Sequence, residues 1–523
     1  MLFRVPHPPC EPREDKMKKA LIAVALAAAT ALALSACGSG GSDTKSTTGA
    51  AGGPLNIGNF ADVTSWDPSL ADIGFDGPYL SAVYDPLIAS DGDGKPVPAL
   101  ATAWKVSDDF KKVTLTLRTG VKFSDGEKFD ADAAVKSLDY LKQGARSGEA
   151  YENVEKFVAV DPTTVEIDLT QRDDTLLYFM GIGRSYMMAP KAIAAGTLAK
   201  EPVGSGPYTL ASSSVAGSEY HFTKVANHWD AKQFPFDPLA IYPIQDATAR
   251  DNAMLSGQIN VNYADDTALK QASENSWNVA AKVSGWVGLQ FTDRTGSKFK
   301  PLGDVKVRQA LNYAFDGANI LKSVGNGAGK VSNQVFPAGL PGNLTSLDDM
   351  YKTSISKAKS LLAEAGYANG FELHMPMSQV FQVWQPVADQ VFKDLGITVT
   401  WDDMQYMDYQ KNAPTYPMFV AFLSMDANPV ATVQRQINLP QWYNPTPQVD
   451  QFPDVEAAVK KVLTADPSDQ EKQIEALNTL VTQKAWYSVW YQANNSYVST
   501  SGIQVTPVVG MMFPTLRQIA VKG

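Results

Sequence analysis

Side chains able to perform covalent or metal chemistry are few in this sequence, and they are badly placed for it. His221 and His228 stand seven residues apart around a strand-and-turn pattern without an acid–His pairing pattern, and His374 stands alone. All three read as core or surface histidines. The chain contains no His-Glu-x-x-His metal motif and no Gly-x-Ser-x-Gly nucleophile turn, and its two cysteines, Cys10 and Cys37, form no metal or redox pair. Gly325-Asn326-Gly327-Ala328-Gly329-Lys330 looks suited to phosphate, but Val324 and Val331 occupy the positions where a phosphate loop needs glycine and a hydroxyl. It reads as a flexible loop. Asp91-Gly92-Asp93-Gly94 lacks the spacing and the closing glutamate of a calcium loop, so it reads as a turn. Hydrolase, metal and nucleotide chemistry are thereby disfavoured. No catalytic, metal or cofactor motif stands out.

One cysteine does lie in a chemical context. Lys16, Lys18 and Lys19 precede Ala20–Leu34, 15 uncharged residues that are almost all apolar and too few to span a bilayer comfortably. The run ends in Leu34-Ser35-Ala36-Cys37, which is similar to a bacterial lipobox. Small residues leave room for a protease before the cysteine, and the thiol is the nucleophile for thioether attachment of lipid. Residues 1–36 are therefore expected to be a leader and lipoprotein signal, with Met17 the preferred start. Residues 37–53, rich in Gly, Ser, Thr and Ala, are expected to be a flexible tether. Without residues 1–36 the chain keeps 40 Lys/Arg against 52 Asp/Glu, a charge of −12. An acidic chain with no basic cluster is a poor partner for nucleic acid. A single remaining cysteine leaves stability to the apolar cores, which a chain of this length can build.

The elements that must hold any site alternate in type. Val113, Leu115 and Leu117 interleave with threonines, and Val165, Ile167 and Leu169 repeat that period of two, so both segments predict strands. Between them Asp130 can cap a helix bearing Ala134, Val135, Leu138 and Leu141. Asp304 can cap another, with Val307, Ala310, Leu311, Ala314 and Phe315 on one face. Further helices are predicted around Ile355–Ala365 and Val455–Leu463, with strands at Phe371–Met375 and Ile397–Trp401. Mixed strand and helix throughout predicts α/β domains.

Several separated blocks, in order, resemble the extracellular solute-binding proteins of ABC importers, family 5, the oligopeptide, dipeptide and nickel type. They are Thr64-Ser65-Trp66-Asp67-Pro68, Val83-Tyr84-Asp85-Pro86-Leu87-Ile88, Val121-Lys122-Phe123-Ser124-Asp125-Gly126, Pro202-Val203-Gly204-Ser205-Gly206-Pro207-Tyr208, Val305 to Ala314 and Leu361 to Tyr367. Most have structural explanations: Ser124-Asp125-Gly126 is turn chemistry, Gly204 and Gly206 suit a tight crossing, and Arg308 suits an ion pair. The resemblance implies an α/β, two-lobed clamp of the periplasmic-binding-protein type II kind, with an extra domain in lobe one. It places lobe one at 54–94, 205–290 and 491–523, its extra domain at 95–204, and lobe two at 291–490. It further implies a monomer that captures a solute between the lobes and hands it to an ABC permease and ATPase complex, at the outer face of the cytoplasmic membrane or in a periplasm.

In the peptide binders of that family a late loop supplies an aspartate for the peptide's α-ammonium. Leu423-Ser424-Met425-Asp426-Ala427-Asn428-Pro429 matches that loop, with Asp426 at the anchoring position and Ser424 and Met425 beside it. Leu423 and Asn428 depart from the peptide-binder pattern. Asp62-Val63-Thr64 matches a segment that lines the cleft. Trp286 and Trp384 are candidates for its aromatic walls or for core, with core preferred, and Tyr406 and Tyr409 are weaker candidates. The resemblance favours a short peptide or another amine-bearing solute. An oligosaccharide or glycoside, held by tryptophan stacking, is the alternative ligand, and sensing without transport the alternative role.

Overall fold

The computed structural model describes residues 52–523. Cys37 and the signal and tether expected before it lie outside the described residues. The alternating segments form strands as their period demands. Lys112–Leu117 buries Val113, Leu115 and Leu117 and pairs antiparallel with Ala101–Val106 and Thr164–Leu169, and Val154–Asp161 completes a four-stranded sheet. Helix Ala131–Lys142 packs on this sheet. The Asp130 carboxylate accepts the Ala133 N–H at 3.1 Å and satisfies one orphan donor of the first turn.

A nine-stranded sheet forms the spine of the molecule. At its heart Asn278–Phe291 and Tyr487–Ser499 run antiparallel, in register from Asn278 opposite Ser499 to Gln290 opposite Tyr487. On one side lies Met418–Ser424. On the other lie, in order, Val261–Tyr263, Leu55–Asn59, Leu239–Pro243, Tyr220–Lys224 and Tyr208–Leu210. The two long strands link two separate apolar cores. Tyr497 belongs to the first core, with Leu55, Ile57, Val261 and the residues of the four-stranded sheet. Trp286, Val287, Leu289, Tyr487, Val489 and Tyr491 belong to the second. The ladder slips register between Val283 and Gly285, where the strands pass from one core to the other. Such a bulge bends and twists a strand locally, which suits this point to a hinge; a second slip, between Val287 and Gly288, lies within the second core.

The second core gathers helices Val305–Ala314, Ile355–Glu364, Gln385–Asp394, Pro453–Thr464 and Pro467–Gln483 around the parallel strands Glu372–Ser378 and Thr398–Met404. Asp304 caps the first of these helices at 2.8 Å. Phe315 lies just past the helix end and stacks on Trp490, with ring centroids 4.5 Å apart. Arg308 makes no ion pair among the described residues. It is buried, and its guanidinium donates to the carbonyls of Ala485, Lys484, Leu302 and Arg294. Two of those carbonyls follow the end of helix Pro467–Gln483, where its dipole is negative. Gly329–Val331, at the end of the glycine-rich loop, pairs with Tyr491–Ala493, and Lys330 reaches Asp348 at 2.7 Å. In the first core Gly204 and Gly206 lie against the Val83–Tyr84 backbone with no space for a β-carbon. Nearby, buried Asp85 accepts from His228 Nε2 at 3.0 Å and Trp229 Nε1 at 2.8 Å, so His228 is a core histidine.

Candidate functional site

Strand Met418–Ser424 delivers the Ser424–Asn428 loop to the boundary between the cores. The Met425 N–H donates to Ser284 O at 3.0 Å, which fixes the loop to the hinge strand. Gln436 Nε2 donates to Ser424 O at 3.0 Å, and Trp286 Nε1 approaches Gln436 Oε1 at 3.3 Å. Asn428 then starts helix Pro429–Thr432, its Oδ1 accepting from the Ala431 N–H at 2.9 Å. The Ser424 side chain is exposed and that of Met425 is buried.

Asp426 is only 2% exposed. Its Oδ1 receives Arg435 Nη1 at 3.0 Å and the Tyr178 hydroxyl at 3.2 Å, while its Oδ2 is buried without a partner. The Tyr178 oxygen also accepts the Ala427 N–H at 3.2 Å. Tyr178 stands between Leu176 and Met180 of the first core, so both bonds span the two lobes. Asp426, chiefly, holds Arg435 protonated well beyond its ordinary range, and the charge of Glu149, in the segment facing it, adds to this. Burial, with Asp426 behind it, keeps the Tyr178 hydroxyl un-ionised. The seam continues through Asn428 Nδ2 to Asp174 O at 3.2 Å, Gln470 Nε2 to Asp174 Oδ2 at 2.7 Å, and Arg172 Nη1 to Ala465 O at 2.6 Å. Tyr178 and Ile182 pack there on Ala427, Ala431, Val508, Val509 and Met511. Beside the seam lies a cavity of about 320 Å³, lined from one side by Glu149, Gln171 and Phe179 and from the other by Val430, Gln434 and Arg435.

The remaining candidates are dispersed. Asp62 accepts from Tyr220 at 2.7 Å, and Thr64 donates its N–H to Asp76 at 2.8 Å and its hydroxyl to the same carboxylate. Asp62 Oδ1 and the Thr64 hydroxyl are therefore engaged within their own lobe. Val63 packs on the first core. Burial pushes the Asp76 carboxyl up to about 6, against the lowering effect of the Thr64 bonds. Trp384 is half-buried against the second core, tilted on Phe381 with ring centroids 6.0 Å apart. Near it Val380, Val383, Tyr406 and Met407 form an exposed apolar lip, and Tyr406 feels the charge of Asp72 on the first lobe. Tyr409 is wholly buried and bonded to Val420 O at 2.5 Å. Of the two readings of Trp286 the structure has core, the preferred one: it is 0% exposed beside Tyr487 and has no surface to offer a solute.

Sequence reasoning missed Tyr178, Arg435 and Glu149. Tyr178 sits in Leu176-Leu177-Tyr178-Phe179-Met180, a run that reads as plain core. Glu149 carries no local signal. For Arg435 a signal exists: it follows the Asn428 cap by seven residues, and helical side chains lean back toward the N-terminus, here toward Asp426.

Two lobes joined by two strands around a buried, charged seam define a clamp-type binding protein. The chain belongs to the bacterial extracellular solute-binding proteins, family 5, whose model (described as its middle part) matches residues 95–445. It is 30% identical over 447 residues to heme-binding protein A of Haemophilus influenzae, covering 74% of this chain and 78% of that one. It is 29% identical over 353 residues to glutathione-binding protein GsiB of Escherichia coli K12, covering 63% of this chain and 66% of that one. Among solved structures, HbpA2 from Haemophilus parasuis superposes with a TM-score of 0.76 at 20% identity, over 90% of this chain and 100% of that one. DppA from Helicobacter pylori, in complex with the peptide STSA, superposes at 0.73 with 20% identity, over 90% and 98%. The family works outside the cytoplasm, binding small molecules or peptides and delivering them to ABC permeases; its members are binders and not enzymes. Among the described residues no helix is long and apolar enough to cross a membrane.

Proposed function

We propose that this protein is a lipid-anchored receptor, held at the outer face of the cytoplasmic membrane through Cys37, that captures a short peptide or other amine-bearing solute between its lobes for an ABC permease and ATPase complex. It acts as a monomer, with lobe one at 54–94, 205–290 and 491–523, the extra domain at 95–204 and lobe two at 291–490, except that Trp286, Val287, Leu289 and Tyr491 pack in the core of lobe two, which moves both crossings toward the slip near Val283. The observation that carries this reading is Asp426: a carboxylate buried at the seam between the lobes with Oδ2 unpartnered. A buried, half-engaged carboxylate is a costly arrangement that an ammonium would complete. The names of relatives give support, since DppA of Helicobacter pylori holds a peptide and GsiB is called a glutathione-binding protein. In this reading Ser424 and Met425 flank the anchor, and Asp62-Val63-Thr64 and Trp384 are assigned to the cleft.

The test is mass spectrometry of small molecules released on denaturing the purified protein, followed by titration of the released solute. A ladder of short peptides, with binding weakened about tenfold or more in Asp426→Ala, is the expected result. Unchanged affinity for the released solute in that variant would remove Asp426 from the site. A second reading, a sugar-like solute, is favoured by half-buried Trp384 beside the apolar lip of Val380, Val383 and Tyr406, because aromatic faces offer large contact area at small entropy cost. Release of a discrete glycoside would establish it.

A further inference from the structure

The two strands that join the lobes have a junction between the lobes at each of their outer edges. At one edge lies the Asp426 seam, fixed there by the Met425 N–H on Ser284 O. At the other edge both lobes attach to strand Tyr487–Ser499, one after the other along its length. From the second lobe, Gly329–Val331 pairs with Tyr491–Ala493, and Ala328 O accepts the Asn494 N–H at 3.0 Å. From the first lobe, the Ala264 N–H donates to Ser496 O at 2.8 Å, and Val261–Tyr263 pairs with Tyr497–Ser499. The glycine-rich loop thus straps the hinge along this edge. A β-carbon at Gly329 would collide with Gln492 O, so the strap needs glycine there.

Beside this edge a gap separates the lobes. Helix Asp266–Glu274 of lobe one and helix Gly317–Ser323 of lobe two flank a groove of about 800 Å³. Leu269, Lys270 and Ser273 line one wall, and Ala318, Leu321 and Asn326 the other. Successive strand residues point to opposite faces, and the hinge strand divides its neighbours accordingly. Asn495 Nδ2 donates to Met511 O at 3.3 Å and the Tyr497 hydroxyl donates to Met512 O, both on the seam side. Val498 packs instead with Ala268 and Ala272 of the groove helix. Seam and groove therefore lie at opposite edges of the hinge and, in lobe one, on opposite faces.

Rotation about a pivot between two gaps widens one as it narrows the other. Here the seam is shut, with Tyr178 bonded across it to Asp426 and Ala427, and the groove is wide. We propose that the groove is the counter-gap of the clamp: it must narrow for the seam to open, so bulk lodged in it holds the lobes closed. The inference rests on the parting and closing of the lobes that solute capture requires, and it is independent of which solute is captured.

Ser273→Trp and Ala318→Trp test it by placing an indole in the groove from opposite walls, both at exposed positions. Narrowing the groove onto that ring overpacks it, which should lower the open population about tenfold or more. Hydrogen exchange of the purified, solute-free protein reads this at the Ala427 N–H, whose partner lies across the seam, and exchange there should slow by the same factor. Small-angle scattering should show a smaller radius of gyration in both variants. Ser273→Ala adds no bulk and should change neither readout. Equal or faster exchange in the tryptophan variants overturns the counter-gap and leaves solute capture standing, which titration with the released solute tests separately. Equal slowing in Ser273→Ala would trace the effect to loss of the serine and overturn the wedge. Because the two tryptophans sit on different lobes, either one decides the matter if the other variant does not fold.

Discussion

Replacing Tyr178 by phenylalanine removes one oxygen from the seam and leaves its apolar packing in place. That oxygen donates to Asp426 Oδ1 and accepts from the Ala427 N–H, both at 3.2 Å and both across the lobes. With the lobes apart, water serves all three groups, so the loss falls on the closed form alone. A hydrogen bond to a charged group contributes about 1.5–3 kcal/mol, and a stranded buried N–H costs about 1–3 kcal/mol. Both contacts are at the long end of the range for hydrogen bonds, which argues for a total near 2 kcal/mol. That is about a 30-fold shift in the closure equilibrium. In the clamp proposed above capture requires the closed form, so the apparent Kd should weaken by a similar factor. Calorimetry with the released solute measures the affinity, and small-angle scattering with and without solute measures closure. Thermal unfolding should change little, because the ring stays packed beside Ile182 and Ala431. Unchanged affinity and unchanged scattering would refute a closing role for the hydroxyl. Collapse of the fold would instead make it a prop of lobe packing.

Two further predictions concern anchoring and pH. Cys37→Ser should move the protein from the membrane fraction to the soluble fraction, and a variant that still sediments with membranes would refute the lipid anchor. Asp76 is an acid whose folded pKa is raised, from 3.8 to about 6. Its favourable contribution is complete below pH 4 and is lost as pH rises through 6, a change of about 3 kcal/mol at 1.36 kcal/mol per unit. Asp76→Asn does not titrate. In urea unfolding at several pH values the stability gap should therefore move in favour of the variant between pH 4 and pH 7, and a flat gap would refute the burial argument.

Much of the fold was legible because period and capping act locally. Asp130 and Asp304 cap the helices their sequences predict, and Val113, Leu115 and Leu117 bury one strand face. The position of the hinge was not legible. It depends on a register slip between Val283 and Gly285 in two strands some 200 residues apart, and nothing in either strand alone encodes the slip. Arg308 shows the same limit from the other direction. Its charge suggests an acidic partner, but the carbonyls it satisfies are main-chain groups of Lys484 and Ala485, which carry no side-chain signature.

The site was half legible for a related reason. Asp426 stands in a loop whose local pattern survives, so its position could be read. Its environment could not, because Tyr178 arrives from 248 residues away and is disguised as core. What that environment does is change the meaning of the aspartate. Alone at the seam, Asp426 would be a simple anchor for an ammonium. Paired with Arg435 through one oxygen, it keeps one acceptor and brings a donor edge beside it. The motif thus marks the carboxylate, while the arginine nine residues later sets how much of it is left to act as an acceptor.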